Sequence, residues 1–98
     1  MIRVVYEWAV EPDQIEAFRQ AWQATTQGIH ETVEGGRGSF LLQAVGRPGR
    51  ILTIARWDSL AQWEAFWQGA DPQQMSAMRQ LGTRVSVTAF EEFSDFTV

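Results

Sequence analysis

The sequence predicts an α+β domain of order β-α-β-β-α-β with a four-stranded antiparallel sheet, and three observations carry the prediction. Residues 2–10, 39–45, 51–57 and 83–93 hold β-branched and aromatic side chains alternating at period two, the mark of strands. Residues 13–33, and the stretch from Ser59 to Gly82, instead repeat apolar side chains every three or four residues, the mark of amphipathic helices. The connections are short and hold glycine or proline. The 98 residues fit one domain, 1–98, without linker, repeat or low-complexity tract.

On the first strand Ile2, Val4, Tyr6, Trp8 and Val10 share one face and Arg3, Val5, Glu7 and Ala9 the other. Pro12 ends it, and Asp13 signals a helix start. The first helix carries the stripe Ile15, Phe18, Trp22, Thr25, Ile29 and Val33, widened by Ala17, Ala21 and Ala24. The glycine-rich segment 34–38 ends it as a turn, and because it precedes a strand it lacks the helix N-terminus that cradles phosphate. The second strand sets Phe40, Leu42 and Ala44 against Leu41, Gln43 and Val45. Gly46 to Arg50 form a hairpin loop in which Pro48-Gly49 suits the centre of a type II turn. The third strand sets Ile51, Thr53, Ala55 and Trp57 against Leu52, Ile54 and Arg56.

Ser59 with Gln62 reads as a capping box for a short helix whose buried stripe is Leu60, Trp63 and Trp67, ended by Gly69. Asp71 caps a further turn, with Pro72 at its first position, Gln74 completing a second box, and Met75, Met78 and Leu81 facing inward to Gly82. The last strand carries Val85, Val87 and Ala89. Beyond Ala89 its phenylalanines are three apart, so a bulge or bend is expected there. Helices covering one sheet face give the ferredoxin-like arrangement. The other face should then be polar, yet both faces of strands two and three are apolar, and a second copy packed sheet to sheet is the simplest cover.

Composition excludes several function classes. The net charge is −4, all eight basic residues are Arg, and acidic domains with scattered Arg are poor partners for nucleic acid or anionic membranes. With no Cys there is no disulfide scaffold, thiolate metal site or Cys nucleophile, and no metal-ligand spacing appears. No apolar run is long enough to span a bilayer. Glu7 and Glu11 interrupt any signal-peptide core, so the cytoplasm is the expected location. Five Trp, six Phe and one Tyr supply either a bulky core or a flat-walled cavity for an aromatic ligand.

The segment Gly38-Ser39-Phe40-Leu41-Leu42, the Pro48-Gly49 turn and the run Ile51 to Ser59 resemble the antibiotic-biosynthesis monooxygenase branch of the dimeric α/β-barrel superfamily, as does Trp57 followed by Ser59, Trp63 and Phe66. The resemblance spans roughly residues 2–93 and implies two subunits closing a barrel through their sheets, each with a pocket between helices and sheet. Some members oxygenate polycyclic phenols with dioxygen and neither flavin nor metal; others bind and break haem. Phe66 stands where many members carry His, and Tyr6-Glu7-Trp8 offers no Asn of the kind haem degraders use, so haem handling is disfavoured.

The candidate catalytic residues are His30, the only imidazole, as base; Glu7 as a second base; and Arg56 as the partner of an anion. On the expected strand order Glu7 lies near Arg84 and Arg3 near Arg56. Each also has a structural reading, His30 as a boundary residue and the strand charges as ion pairs fixing dimer register. Tyr6, Trp8, Trp57, Phe66 and Trp67 are the candidate substrate-binding walls, whereas Trp22 and Trp63 read as core. The expected function is a cofactor-independent monooxygenase of a flat aromatic or polyketide-like substrate. A non-catalytic dimer binding a small ligand is the alternative, and no cofactor or metal is implied.

Overall fold

A computed structural model describes residues 1–68 and 72–97. The elements are β1 Ile2–Ala9, α1 Ile15–Thr32, β2 Gly36–Gln43, β3 Arg50–Trp57, α2 Leu60–Trp67, α3 Ser76–Leu81 and β4 Thr83–Glu91. The four strands form one antiparallel sheet in the order β2-β3-β1-β4. This is the expected ferredoxin-like α+β fold, with β1 between β3 and β4 and the second helical region divided.

Period-two alternation places Ile2, Val4, Tyr6 and Trp8 of β1 and Ile51, Thr53 and Trp57 of β3 on the helix side, all buried. Phe18, Trp63, Met75 and Met78 close over them, so the core lies between helices and sheet. Trp8 packs edge-on against Phe18 at 5.1 Å between ring centroids, and its Nε1 donates to Thr53 Oγ1 at 3.1 Å. That hydrogen bond satisfies a polar group that burial would otherwise penalise.

Several local expectations are corrected. A 3-10 turn, Pro12–Gln14, precedes α1, so Asp13 caps nothing; Ala17 and Ala24 are exposed and do not widen the buried stripe. β2 starts at Gly36 and ends at Gln43, earlier than at Ser39 and Val45, because an extra residue is accommodated between Gly36 and Ser39 opposite Arg56. The hairpin loop is correspondingly longer. Arg50 N donates to Arg47 O at 3.2 Å with Gly49 at φ +93°, which fits the type II turn expected of Pro48-Gly49.

Ser59 caps α2, accepting from Gln62 N at 3.2 Å, but Leu60 is exposed rather than buried. Gln68, in the left-handed region, closes the helix. Pro72 is extended and precedes a 3-10 turn, Gln73–Met75, instead of opening a helix. Gly69, Asp71 and the box that Asp71 makes with Gln74 lie outside the described residues. The bulge in β4 lies before Val87, where Ser86 pairs with Glu7 and Arg84 with Trp8, and not beyond Ala89. The strand stops at Glu91, and Phe93 and Phe96 follow it fully exposed.

The bulge also overturns one expected pairing. Arg84 faces the helices, its guanidinium 5.0 Å from the Trp67 ring centroid and 6.0 Å from that of Trp8, whereas Glu7 faces the other side, 3.8 Å from Arg50. Arg3 does stand opposite Arg56 in the register, and it pairs with Glu92 at 2.8 Å. The sheet face away from the helices carries Phe40, Leu42 and Phe90, which are 57%, 48% and 52% exposed, beside Val5, Leu52 and Ile54. Among the described residues, no helix is long and apolar enough to cross a membrane.

Candidate functional site

The buried stripe of α1 does not lie flat on the sheet along its whole length. Between Trp22, Thr25 and Ile29 of α1 and Tyr6, Thr53, Ala55 and Trp57 of the sheet a cavity of about 40 Å³ remains, closed further on by Phe66, Met75 and Met78. That is room for a few waters. Trp57 and Phe66 form a tilted aromatic pair at 5.1 Å in its wall. The polar groups in the lining are mostly engaged. Trp63 Nε1 donates to Tyr6 Oη at 3.2 Å, and Trp22 Nε1 donates to Ser39 Oγ at 3.1 Å.

The cavity opens where β2 bulges. Arg37 and Gly38 occupy the bulge opposite Arg56, and Gly38, at φ +109°, has open space where a side chain would stand. Outside this gap lies a groove of about 480 Å³ between α1 and the sheet edge, lined by Gln23, Gln27, His30, Phe40 and Ile54. Trp22, Thr26, Arg37, Gly38, Ser39 and Arg56 line both spaces, which therefore form one funnel. The groove alone reaches the size of ordinary small-molecule sites, roughly 300–1,000 Å³.

Two groups in the funnel have chemistry to offer. His30 Nδ1 lies 3.0 Å from Gly36 O. A carbonyl oxygen only accepts, so Nδ1 carries the proton and a neutral ring keeps its lone pair on Nε2. Arg56 Nε is buried and makes no hydrogen bond among the described residues. A guanidinium nitrogen in this condition is a ready donor to an anion. Arg37 is engaged: Nε and Nη2 donate to the two oxygens of Asp58 at 2.7 and 3.0 Å. The hydrogen bond from Arg37, with its charge, holds the Asp58 carboxyl below the usual range.

Of the residues singled out from sequence, the funnel gathers Tyr6, Trp57, Phe66, Arg56 and His30. Trp8 is fully buried under Phe18, and Trp67 stacks on Trp63 at 5.7 Å, so neither lines the funnel. Glu7 lies at the far end of the sheet, in a groove with Arg47, Arg50 and Arg79. Trp22 and Arg37 were missed as site residues. Trp22 shares the spacing of the core stripe, and Arg37 sits in a glycine-rich segment that reads as a turn. Among the described residues no group of three or more His, Asp or Glu stands together as a metal site.

The comparisons agree with this fold. SnoaB from Streptomyces nogalater, described as a cofactor-independent oxygenase, superposes with a TM-score of 0.70 at 18% identity, covering 97% of this chain and 95% of its own. A Deinococcus radiodurans protein named for antibiotic biosynthesis monooxygenases gives 0.75 at 20% identity, covering 100% and 98%. One from Nitrosomonas europaea, named likewise, gives 0.73 at 14% identity, covering 96% and 100%. At these identities the likeness speaks for the fold. No curated protein matches the sequence. The model of the antibiotic biosynthesis monooxygenase family matches residues 1–78, and the chain belongs to that family.

Proposed function

We propose that this protein is a monooxygenase that needs no cofactor and acts on a flat, electron-rich aromatic or polyketide-like substrate held in the funnel. The observation that carries the reading is one funnel combining aromatic walls, an imidazole with its Nδ1 proton committed to Gly36, and an Arg56 whose Nε makes no hydrogen bond among the described residues. His30 takes the proton of an activated ring methylene or phenol through Nε2. Arg56 steadies the anion that forms. The anion passes electrons to dioxygen, a carbon–oxygen bond forms, and the resulting hydroperoxide loses water. For a methylene, R₂CH₂ and O₂ give R₂C=O and H₂O; carbon gives up four electrons and dioxygen takes four, so no outside reductant enters.

A ring rests first in the groove, because the inner cavity has room only for a few water-sized groups. Its reacting edge moves inward as Met75 and Met78, unbranched and adaptable, change rotamer. Haem does not fit: the cavity has no room for a porphyrin, and an axial imidazole would have to come from the groove. Two copies pack their exposed apolar sheet faces in this reading, and the dimer works in the cytoplasm.

A second reading, a dimer that binds a small apolar ligand without turnover, is favoured by one observation. Among the described residues, no imidazole or carboxylate lines the inner cavity itself. Oxygen uptake with chelator present, across a panel of anthrones and naphthols, separates the two. The oxygenase consumes one dioxygen per substrate, and His30→Gln slows it about a hundredfold or more. Ring compounds that bind with no oxygen uptake favour the second reading.

A further inference from the structure

The permanent charges that line the funnel are cationic. Arg37 and Arg56 line both of its parts, and among the described residues no Asp or Glu lines either part, although Asp58 holds Arg37 from outside. This stands out in a chain of formal net charge −4. The planar fork of Arg37 is already set for a carboxylate, since Asp58 fills it with both oxygens. Asp58 itself lines neither space. The side chains of the pair are 57% and 35% exposed. Ion pairs of such exposure are weak, so a carboxylate whose ring is already held in the funnel can displace Asp58 from Arg37. Arg56 is left for the reacting oxygen.

We infer that Arg37 sets substrate choice, and that the ring compound taken by the funnel carries a carboxylate. The ring lies inward against Trp22, and the carboxylate stays at the mouth, where Arg37 leaves Asp58 to hold it. The inference rests on the funnel being the ring-binding site, but it does not require turnover.

The test is a titration of the full chain at pH 7 with naphthalene-2-carboxylate and with its neutral carboxamide, read by tryptophan fluorescence; Trp22 and Trp57 stand in the lining. The carboxylate binds at least about tenfold tighter than the carboxamide. Added salt narrows the gap. Arg37→Gln brings the ratio of the two affinities close to one, and Arg37→Lys restores part of it. Asp58→Asn, which removes the competitor, raises affinity for the carboxylate and leaves that for the carboxamide in place. Equal binding of the two probes, binding of neither, or a carboxylate affinity that does not rise in Asp58→Asn overturns the proposal. Failure of the oxygenase reading appears separately, as absent oxygen uptake with the carboxylate preference intact.

Discussion

In the proposed reaction His30 owes its role as base to one hydrogen bond. Gly36 O fixes the proton on Nδ1 and leaves Nε2 as the basic atom, a detail that no feature of the sequence around residue 30 reveals. Thr53 has a similar structural role in the core, because it is the acceptor for the buried Trp8 Nε1. Thr53→Val leaves that donor unsatisfied and lowers stability by about 1–3 kcal/mol, read from the urea midpoint. Asp58 contributes a pH-dependent share. Its folded pKa lies below the ordinary value, so the stability it adds is complete above pH ~4 and is lost as the pH falls through the folded value. Asp58→Asn should therefore be less stable than the wild type at neutral pH, and the difference should close in acid unfolding. At this scale apolar placement was legible in the sequence, since alternation alone put Ile2, Val4, Tyr6 and Trp8 on the buried face. The stacking of Arg84 on Trp67 was not, because it depends on a strand register.

The elements were legible by their period and blurred where the period breaks. β1 and β3 match their alternation closely, as does the stripe of α1. β2 and β4 each carry a bulge, and one extra residue moves every later side chain to the opposite face. Gly36 and Gly38 read as part of a turn on composition, yet they belong to the strand and open the funnel mouth. Two glycines of the hairpin make a matched test of backbone geometry. Gly46 and Gly49 both have positive φ, but a Cβ on Gly49 would collide with Val10 O, and one on Gly46 meets nothing. Both Ala variants carry the left-handed penalty of about 1–2 kcal/mol. Gly49→Ala should cost clearly more, since the end of β1 must also shift. At the start of α2, Ser59→Ala removes the cap and costs about 1 kcal/mol, measured the same way.

For the whole molecule, the second sheet face connects fold to assembly. Phe40, Leu42 and Phe90 stand exposed beside Val5, Leu52 and Ile54, more apolar surface than a water-facing sheet carries. Light scattering at micromolar concentration should give twice the chain mass of 11.1 kDa, and Leu52→Glu should return it to the single mass. The architecture and the two-sided sheet could be argued from sequence because they follow from patterns that every strand repeats. The site was legible only in its pieces. Tyr6, Trp57, Phe66, Arg56 and His30 come from four different elements, and only the gap at the β2 bulge joins them. The central claim is that this funnel carries out oxygenation with its own residues. Turnover of an anthrone under isotopically heavy dioxygen, with chelator present, tests it most directly. One heavy oxygen should enter the product, and Arg56→Gln should slow the reaction by about a hundredfold or more. Label arriving from water, or a rate indifferent to both Arg56→Gln and His30→Gln, would contradict it.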